Sequence, residues 1–223
     1  LSVISGHASG GGHSTKTHGY YSAGSGPGQT YQTAITKFSF ATAGNDTDHG
    51  DLQLGRWVTS GHSSETYCYT SAGWQSAGNA ETRYLDKFSF ANSNGSTLHG
   101  ELNQSLDEAG GCAGISSSTD GFVCGGAKTG VKSNDIQKFS FSSNTFASDH
   151  GDLSSEGLNT ASDGNSTTNG TSSTTHGYVC GGNTDVGAQN KIDKFSYAAM
   201  VTASSIADLL TALNSSGPNG TQF

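Results

Sequence analysis

Ile35-Thr-Lys-Phe-Ser-Phe40, Leu85-Asp-Lys-Phe-Ser-Phe90, Ile136-Gln-Lys-Phe-Ser-Phe141 and Ile192-Asp-Lys-Phe-Ser-Tyr197 are four versions of one six-residue phrase. Their lysines, Lys37, Lys87, Lys138 and Lys194, are 50, 51 and 56 residues apart. Twelve residues after each of the first three comes a histidine, His49, His99 or His150, opening His-Gly-Asp/Glu-Leu. In the fourth copy the same register holds Ile206-Ala-Asp-Leu209, so the histidine and glycine are lost there. A second phrase precedes each of these: HGYYSAG at 18–24, YCYTSAG at 67–73, DGFVCGG at 120–126 and HGYVCGG at 176–182. A further glycine leads it by a fixed step, at Gly12, Gly61, Gly114 and Gly170. Repetition at this period marks an array of like supersecondary units.

Each unit reads as short strands between turns. Phe38 and Phe40 fall on one face of an alternating strand, with Ile35, Lys37 and Ser39 on the other. Large apolar residues on both faces predict a sheet covered on both sides. A lysine stem can lie along such a surface while its ammonium reaches water. Phe38, Phe40, Phe88, Phe90, Phe139, Phe141, Phe195 and Tyr197, with His49, His99 and His150, are therefore expected to be structural repeat residues. Small sheets of about four strands packed face to face are the blades of a β-propeller. The expected units are 1–52, 53–102, 103–153 and 154–209 in a single domain, followed by a polar tail at 210–223. Ile206, Leu209, Leu210 and Leu213 also fit one face of a short helix, whereas the repeat register places a strand through Leu209.

The composition agrees with this reading. Of 223 residues, 33 are glycine, 2 are proline, 13% are charged, and the net charge is −8. Sparse Lys and Arg exclude a nucleic-acid-binding surface. No apolar run is long enough for a membrane helix, so no membrane insertion is expected. Ten Phe, eight Tyr and two Trp argue against disorder. The chain begins at Leu1, from which nothing about targeting is read.

The repeats resemble the kelch repeat in length and in the order of a strand ending in two glycines, an aromatic strand, a polar turn and a short strand. The wording is closer still to kelch-like repeats of virion proteins from marine bacteriophages, including cyanophages. That resemblance covers Ser2 to Leu209. It implies an all-β, kelch-like propeller or propeller-like arc on a phage virion appendage, a tail fibre or adhesin outside the host cell. The chain departs from the kelch pattern in two ways: histidine stands near the usual tryptophan position, and only four units are present. The function expected from the resemblance is non-enzymatic, structural or receptor-binding, with loops contacting host surface polysaccharide and with a homo-oligomer or other virion subunits as partners. The alternative is a self-assembling extracellular filament or sheath subunit.

Other chemistries have weaker support. No His or Cys spacing of a zinc site occurs, and a histidine repeated once per unit reads as a turn or carbonyl partner. Asp48, Asp51, Asp149 and Asp152 flank histidines, but no Gly-x-Ser-x-Gly elbow accompanies them. Calcium near Asn45, Asp46 and Asp48 lacks EF-hand spacing. The glycine-rich 6–13 stretch lacks the Lys-Ser/Thr of a phosphate loop. Asn-x-Ser/Thr triplets begin at Asn45, Asn94, Asn103, Asn165, Asn169, Asn214 and Asn219. Cys124 and Cys180 share a position with Ser22 and Ser71, which asks only for a small side chain. All four cysteines are read as free, with a Cys68–Cys112 bridge left open. No catalytic, metal or cofactor-binding residue is assigned. Binding is expected from Trp74, Tyr69 and Tyr31, because rings beside amides make sugar platforms. Trp57 is expected to be a core anchor.

Overall fold

The computed structural model describes residues 10–26, 30–75, 80–106, 112–128, 131–154, 169–184 and 187–213. Every regular element among them is a strand, and every pairing is antiparallel. Four main sheets follow one another along the chain, each built on four strands paired in sequence order; the second also takes in Arg56–Trp57 and Trp74–Gln75 and the fourth Asn183–Thr184, and two small hairpins stand apart. The first contains Gly11–Ser14, His18–Ser22, Ala34–Ser39 and Thr47–Asp51. The second contains Ser60–Ser63, Tyr67–Ser71, Ala80–Ser89 and Thr97–Leu106. The third contains Ala113–Ser116, Asp120–Cys124, Asp135–Ser140 and Ser148–Asp152. The fourth contains Asn169–Ser172, His176–Cys180, Gly187–Ser196 and Ser204–Leu213. The helix alternative at 206–213 is thus replaced by an extended strand, which runs past Leu209 to Leu213. Residues 214–223, with Asn214 and Asn219, lie outside the described residues, as do Asn165 and the start of the glycine-rich 6–13 stretch.

The repeated glycines mark where backbones meet. A Cβ on Gly61 would lie 2.3 Å from the Gly12 carbonyl oxygen, and one on Gly114 would lie 2.4 Å from that of Gly61. The first strands of successive sheets therefore touch main chain to main chain, and only glycine fits between them. The glycine of the Gly-Tyr/Phe phrase has a different reason. The Phe139 ring lies where a Cβ of Gly121 would be, 2.2 Å from its nearest atom, and Phe38 does the same at Gly19.

Between sheets the same junction recurs three times. The second strand of one sheet offers an aromatic ring to the aromatic pair of the next. Tyr20 packs on Phe90 at 4.9 Å, Tyr69 on Phe141 at 4.6 Å, and Phe122 on Tyr197 at 4.9 Å. The Tyr20 and Tyr69 hydroxyls donate to the carbonyls of Phe90 and Phe141. Phe122 has no hydroxyl, and at that junction Tyr197 donates back to the Ser116 carbonyl instead. His49, His99 and His150 donate through Nε2 to the carbonyls of Ser89, Ser140 and Ser196 at 2.7–2.8 Å. The lysines sit over the same aromatic rings, with Lys37 5.6 Å from the Tyr20 centroid and Lys138 5.7 Å from that of Phe122. Each junction thus combines apolar burial, aromatic contacts of about 0.5–1.5 kcal/mol and satisfied buried donors.

Phe38 and Phe40 differ from the expectation. Phe88, Phe90, Phe139, Phe141, Phe195 and Tyr197 are buried, but Phe38 and Phe40 are 39% and 55% exposed. The covering contacts at the other pairs come from the preceding sheet, and the first sheet has none before it among the described residues. No closed propeller is seen there.

Candidate functional site

An aromatic cluster sits where the hairpins of the first two repeats meet. The hairpin Ser25–Gly26/Thr30–Tyr31 leaves the first sheet. The segment after Leu52 crosses beside it: Gly24 N donates to the Arg56 carbonyl at 2.9 Å, and Arg56 N to that of Gln32 at 3.3 Å. The short strand Arg56–Trp57 then pairs with Trp74–Gln75, which places Trp57 opposite Trp74. On the first-repeat side the Tyr31 and Trp57 rings stack, with centroids 6.1 Å apart and planes at 30°. Tyr31, Trp57 and Trp74 are all half-buried, as are Gln32 and Gln75 beside them in sequence.

Arg56 fixes this segment. It is fully buried, and its Nη2 donates to Asp86 Oδ2 at 2.6 Å and to the Thr70 carbonyl at 2.9 Å. Burial lowers its pKa, and the Asp86 carboxylate opposes that shift. Its Nε and Nη1 have no partner. A buried pair of this kind adds little net stability, but removing one partner strands the other charge. The strand that carries Trp57 is thereby held in one position. Gly73 closes the turn opposite, where a Cβ would lie 2.6 Å from the Trp57 carbonyl oxygen.

The structure brings Tyr31 and Trp74 into one cluster and adds Trp57, which the sequence reading assigned to the core. Tyr69 is a correction. It is 1% exposed, its hydroxyl is committed to Phe141, and burial pushes its pKa up to about 12. It offers no face to a sugar. Arg56 and Asp86 were missed. The available signal was that Arg56 is one of only two arginines in the chain and stands next to a tryptophan with no counterpart in the other repeats.

The buried histidines form a separate polar line. His13 Nδ1 donates to the His62 carbonyl, and His62 Nδ1 to the Ile115 carbonyl, both at 3.1 Å. With those tautomers each Nε2 accepts, from Ser22 Oγ at 2.9 Å and from Ser71 Oγ at 2.9 Å. Thr70 Oγ1 lies 2.6 Å from Ser22 Oγ and continues the chain. Burial lowers the pKa of His13 to about 3 and that of His62 to about 4. An imidazole of such low basicity is a weak general base at neutral pH, and His13 lies in the lining of a cleft beside Phe38 and Phe40. Asp48 and Asp149 accept from the amides of Gly50 and Gly151 and so hold turns. Among the described residues, no three His, Cys, Asp or Glu side chains converge as metal ligands would. None of the four cysteines forms a disulfide, so Cys68 and Cys112 are not bridged.

No protein-family profile matches the chain, and no curated protein matches it. Solved structures do. One, titled "Structure of YjhT", aligns with a TM-score of 0.68 at 11% identity, covering 91% of this chain. The match covers 66% of the YjhT chain. At that identity the likeness is one of fold alone.

Proposed function

We propose that the chain is a non-catalytic repeat module of the kelch-like propeller type, a structural or receptor-binding part of a phage virion appendage outside the cell. It meets host surface glycans through Tyr31, Trp57 and Trp74. The observation that carries this reading is the Tyr31–Trp57 stack with Trp74 opposite Trp57 on partly exposed hairpins. Ring faces stack on the apolar faces of sugars, and nearby amides such as Gln32 and Gln75 bond hydroxyls. The three like junctions between successive four-stranded units support the propeller-type arrangement of sheets. Loops on a rigid scaffold are the usual place for such contacts, and several copies on one appendage multiply a weak contact.

The test is retention of the purified chain on immobilised host-envelope polysaccharide. Trp74→Ala and Tyr31→Ala are each expected to weaken retention by about tenfold, or ~1.4 kcal/mol. Tyr69→Phe is expected to leave it unchanged. Equal retention of all four proteins, or no retention of the unmodified chain on any envelope polysaccharide, would overturn the reading. The uncovered Phe38 and Phe40 favour the second reading, a self-assembling extracellular subunit.

A further inference from the structure

The first sheet carries one half of an inter-sheet junction, and the fourth sheet carries the other half. At the three internal junctions the receiving sheet supplies four things. These are an aromatic pair, a serine carbonyl for a histidine, a side chain that holds the residue after a buried leucine and, at the first two junctions, a phenylalanine carbonyl for a tyrosine hydroxyl. The role of holding the residue after the leucine falls to Gln137, which accepts from Asn103 N at 2.9 Å, and to Asp193, which accepts from Ser154 N at 2.6 Å. Asp86 does it through Ser96: Gln53 N donates to Ser96 Oγ at 3.1 Å, and Ser96 Oγ donates to Asp86 at 2.9 Å. In the first sheet the corresponding residue is Thr36. It is 6% exposed, yet its Oγ1 has no hydrogen-bond partner. Phe38 on the same strand and Phe40 just past its end lie uncovered, and a cleft of about 510 Å³ opens there, with Phe38, Phe40 and Asp46 in its lining.

The giving half is present on the fourth sheet. Tyr178 occupies the position of Tyr20 and Tyr69 and is half-buried. Ile206 replaces the histidine and is 51% exposed. Leu209 stands in register with Leu52, Leu102 and Leu153, which are buried, and Leu210 after it is fully exposed. We propose that the first sheet's open face is a docking surface for the fourth sheet of a second copy of this chain. In that docking the Tyr178 hydroxyl donates to the Phe40 carbonyl, as Tyr20 does to Phe90. Ile206 covers Phe38, and the Leu210 amide donates to Thr36 Oγ1. A second copy is the occupant because the chain carries both halves and both are open among the described residues. The contact is head-to-tail, so it closes into a ring or extends as a filament. It is independent of the glycan reading.

Phe40→Asp disables the receiving face, and Ile206→Asp disables the giving face. Sedimentation velocity over a concentration series is expected to show the unmodified chain growing beyond one chain while each variant stays single. Mixed in equal amounts, the two variants are expected to form pairs and nothing larger, since each keeps the face the other lacks. Both sites are exposed, so thermal unfolding of the variants should match that of the unmodified chain; the milder Phe40→Ser and Ile206→Ser repeat the test if it does not. Trp74→Ala should assemble normally, which separates this outcome from loss of glycan binding. An unmodified chain that stays single at every concentration would overturn the proposal. So would Ile206→Asp assembling by itself, or the mixture failing to pair.

Discussion

The first two sheets and the last two are built on one plan but differ along the line where their first strands meet. In the first two, His13 and His62 occupy the inward position and bond Ser22 and Ser71. In the last two, the same positions hold Ile115 with Cys124 and Thr171 with Cys180, again nine residues apart. One half therefore carries a hydrogen-bonded polar line. In the third sheet an apolar pair, Ile115 and Cys124, fills the same place with both side chains fully buried. The serine or cysteine is chosen by its neighbour, since a buried imidazole nitrogen needs a donor and a buried isoleucine does not. The aromatic cluster of Tyr31, Trp57 and Trp74 also belongs to the first two repeats.

The largest effect should come from breaking the histidine half. His62→Ile removes the partners of Ser71 Oγ and of the Ile115 carbonyl, and a destabilisation of about 2–3 kcal/mol is expected in denaturant melts. Adding Ser71→Cys recreates the pair found at Ile115 and Cys124 and should recover a large part of that loss. No recovery would mean that the two halves differ for some other reason.

Acid should act on the histidine half next. His13 and His62 have folded pKa values of about 3 and about 4 against the ordinary 6.5. Below 6.5 the unfolded chain takes up protons that the folded chain refuses. The stability due to these groups is therefore full above pH 6.5 and falls as the pH drops, down to the folded values. The slope is about 1.4 kcal/mol per pH unit for each histidine. In the His62→Ile/Ser71→Cys protein the stability-versus-pH curve between pH 6 and 4 should be shallower by about that amount. An unchanged slope would contradict the assignment.

Smaller effects separate the junctions. Tyr69→Phe and Tyr197→Phe should each cost about 1 kcal/mol, since each removes one buried hydrogen bond, to Phe141 and Ser116 respectively. The smallest concerns the turn after the second strand. Ala23 and Ala72 hold φ of 68° and 59°, where the later repeats have Gly125 and Gly181. Ala72→Gly relieves that strain but loses a buried methyl, so a net change under about 0.5 kcal/mol is expected.

The repeats made much of the fold legible. The Lys-Phe-Ser-Phe phrases gave the third strand of every sheet, and the leading glycines gave the line of main-chain contact. Comparing repeats also contained the answer for Tyr69, because it shares a position with Tyr20 and Phe122 and that position is covered by the next sheet. Read alone as a ring near polar residues, it passed for a surface group. Trp57 and Arg56 have no counterparts in the other repeats, so no internal comparison placed them. Their position follows from the Arg56–Asp86 ion pair, which joins residues 30 apart in sequence. The openness of Phe38 and Phe40 depends on what precedes them in space and cannot be read from their own phrase.

The account centres on one junction, made three times and left open at the first sheet. Iodide quenching of a single tryptophan placed at position 40 or at position 141, with Trp57 and Trp74 replaced by phenylalanine, tests this directly. Tryptophan at 141 should be shielded at every protein concentration. Tryptophan at 40 should be quenched in dilute solution and become shielded as the chain is concentrated. Shielding at position 40 even at high dilution, or equal quenching at the two positions, would contradict it.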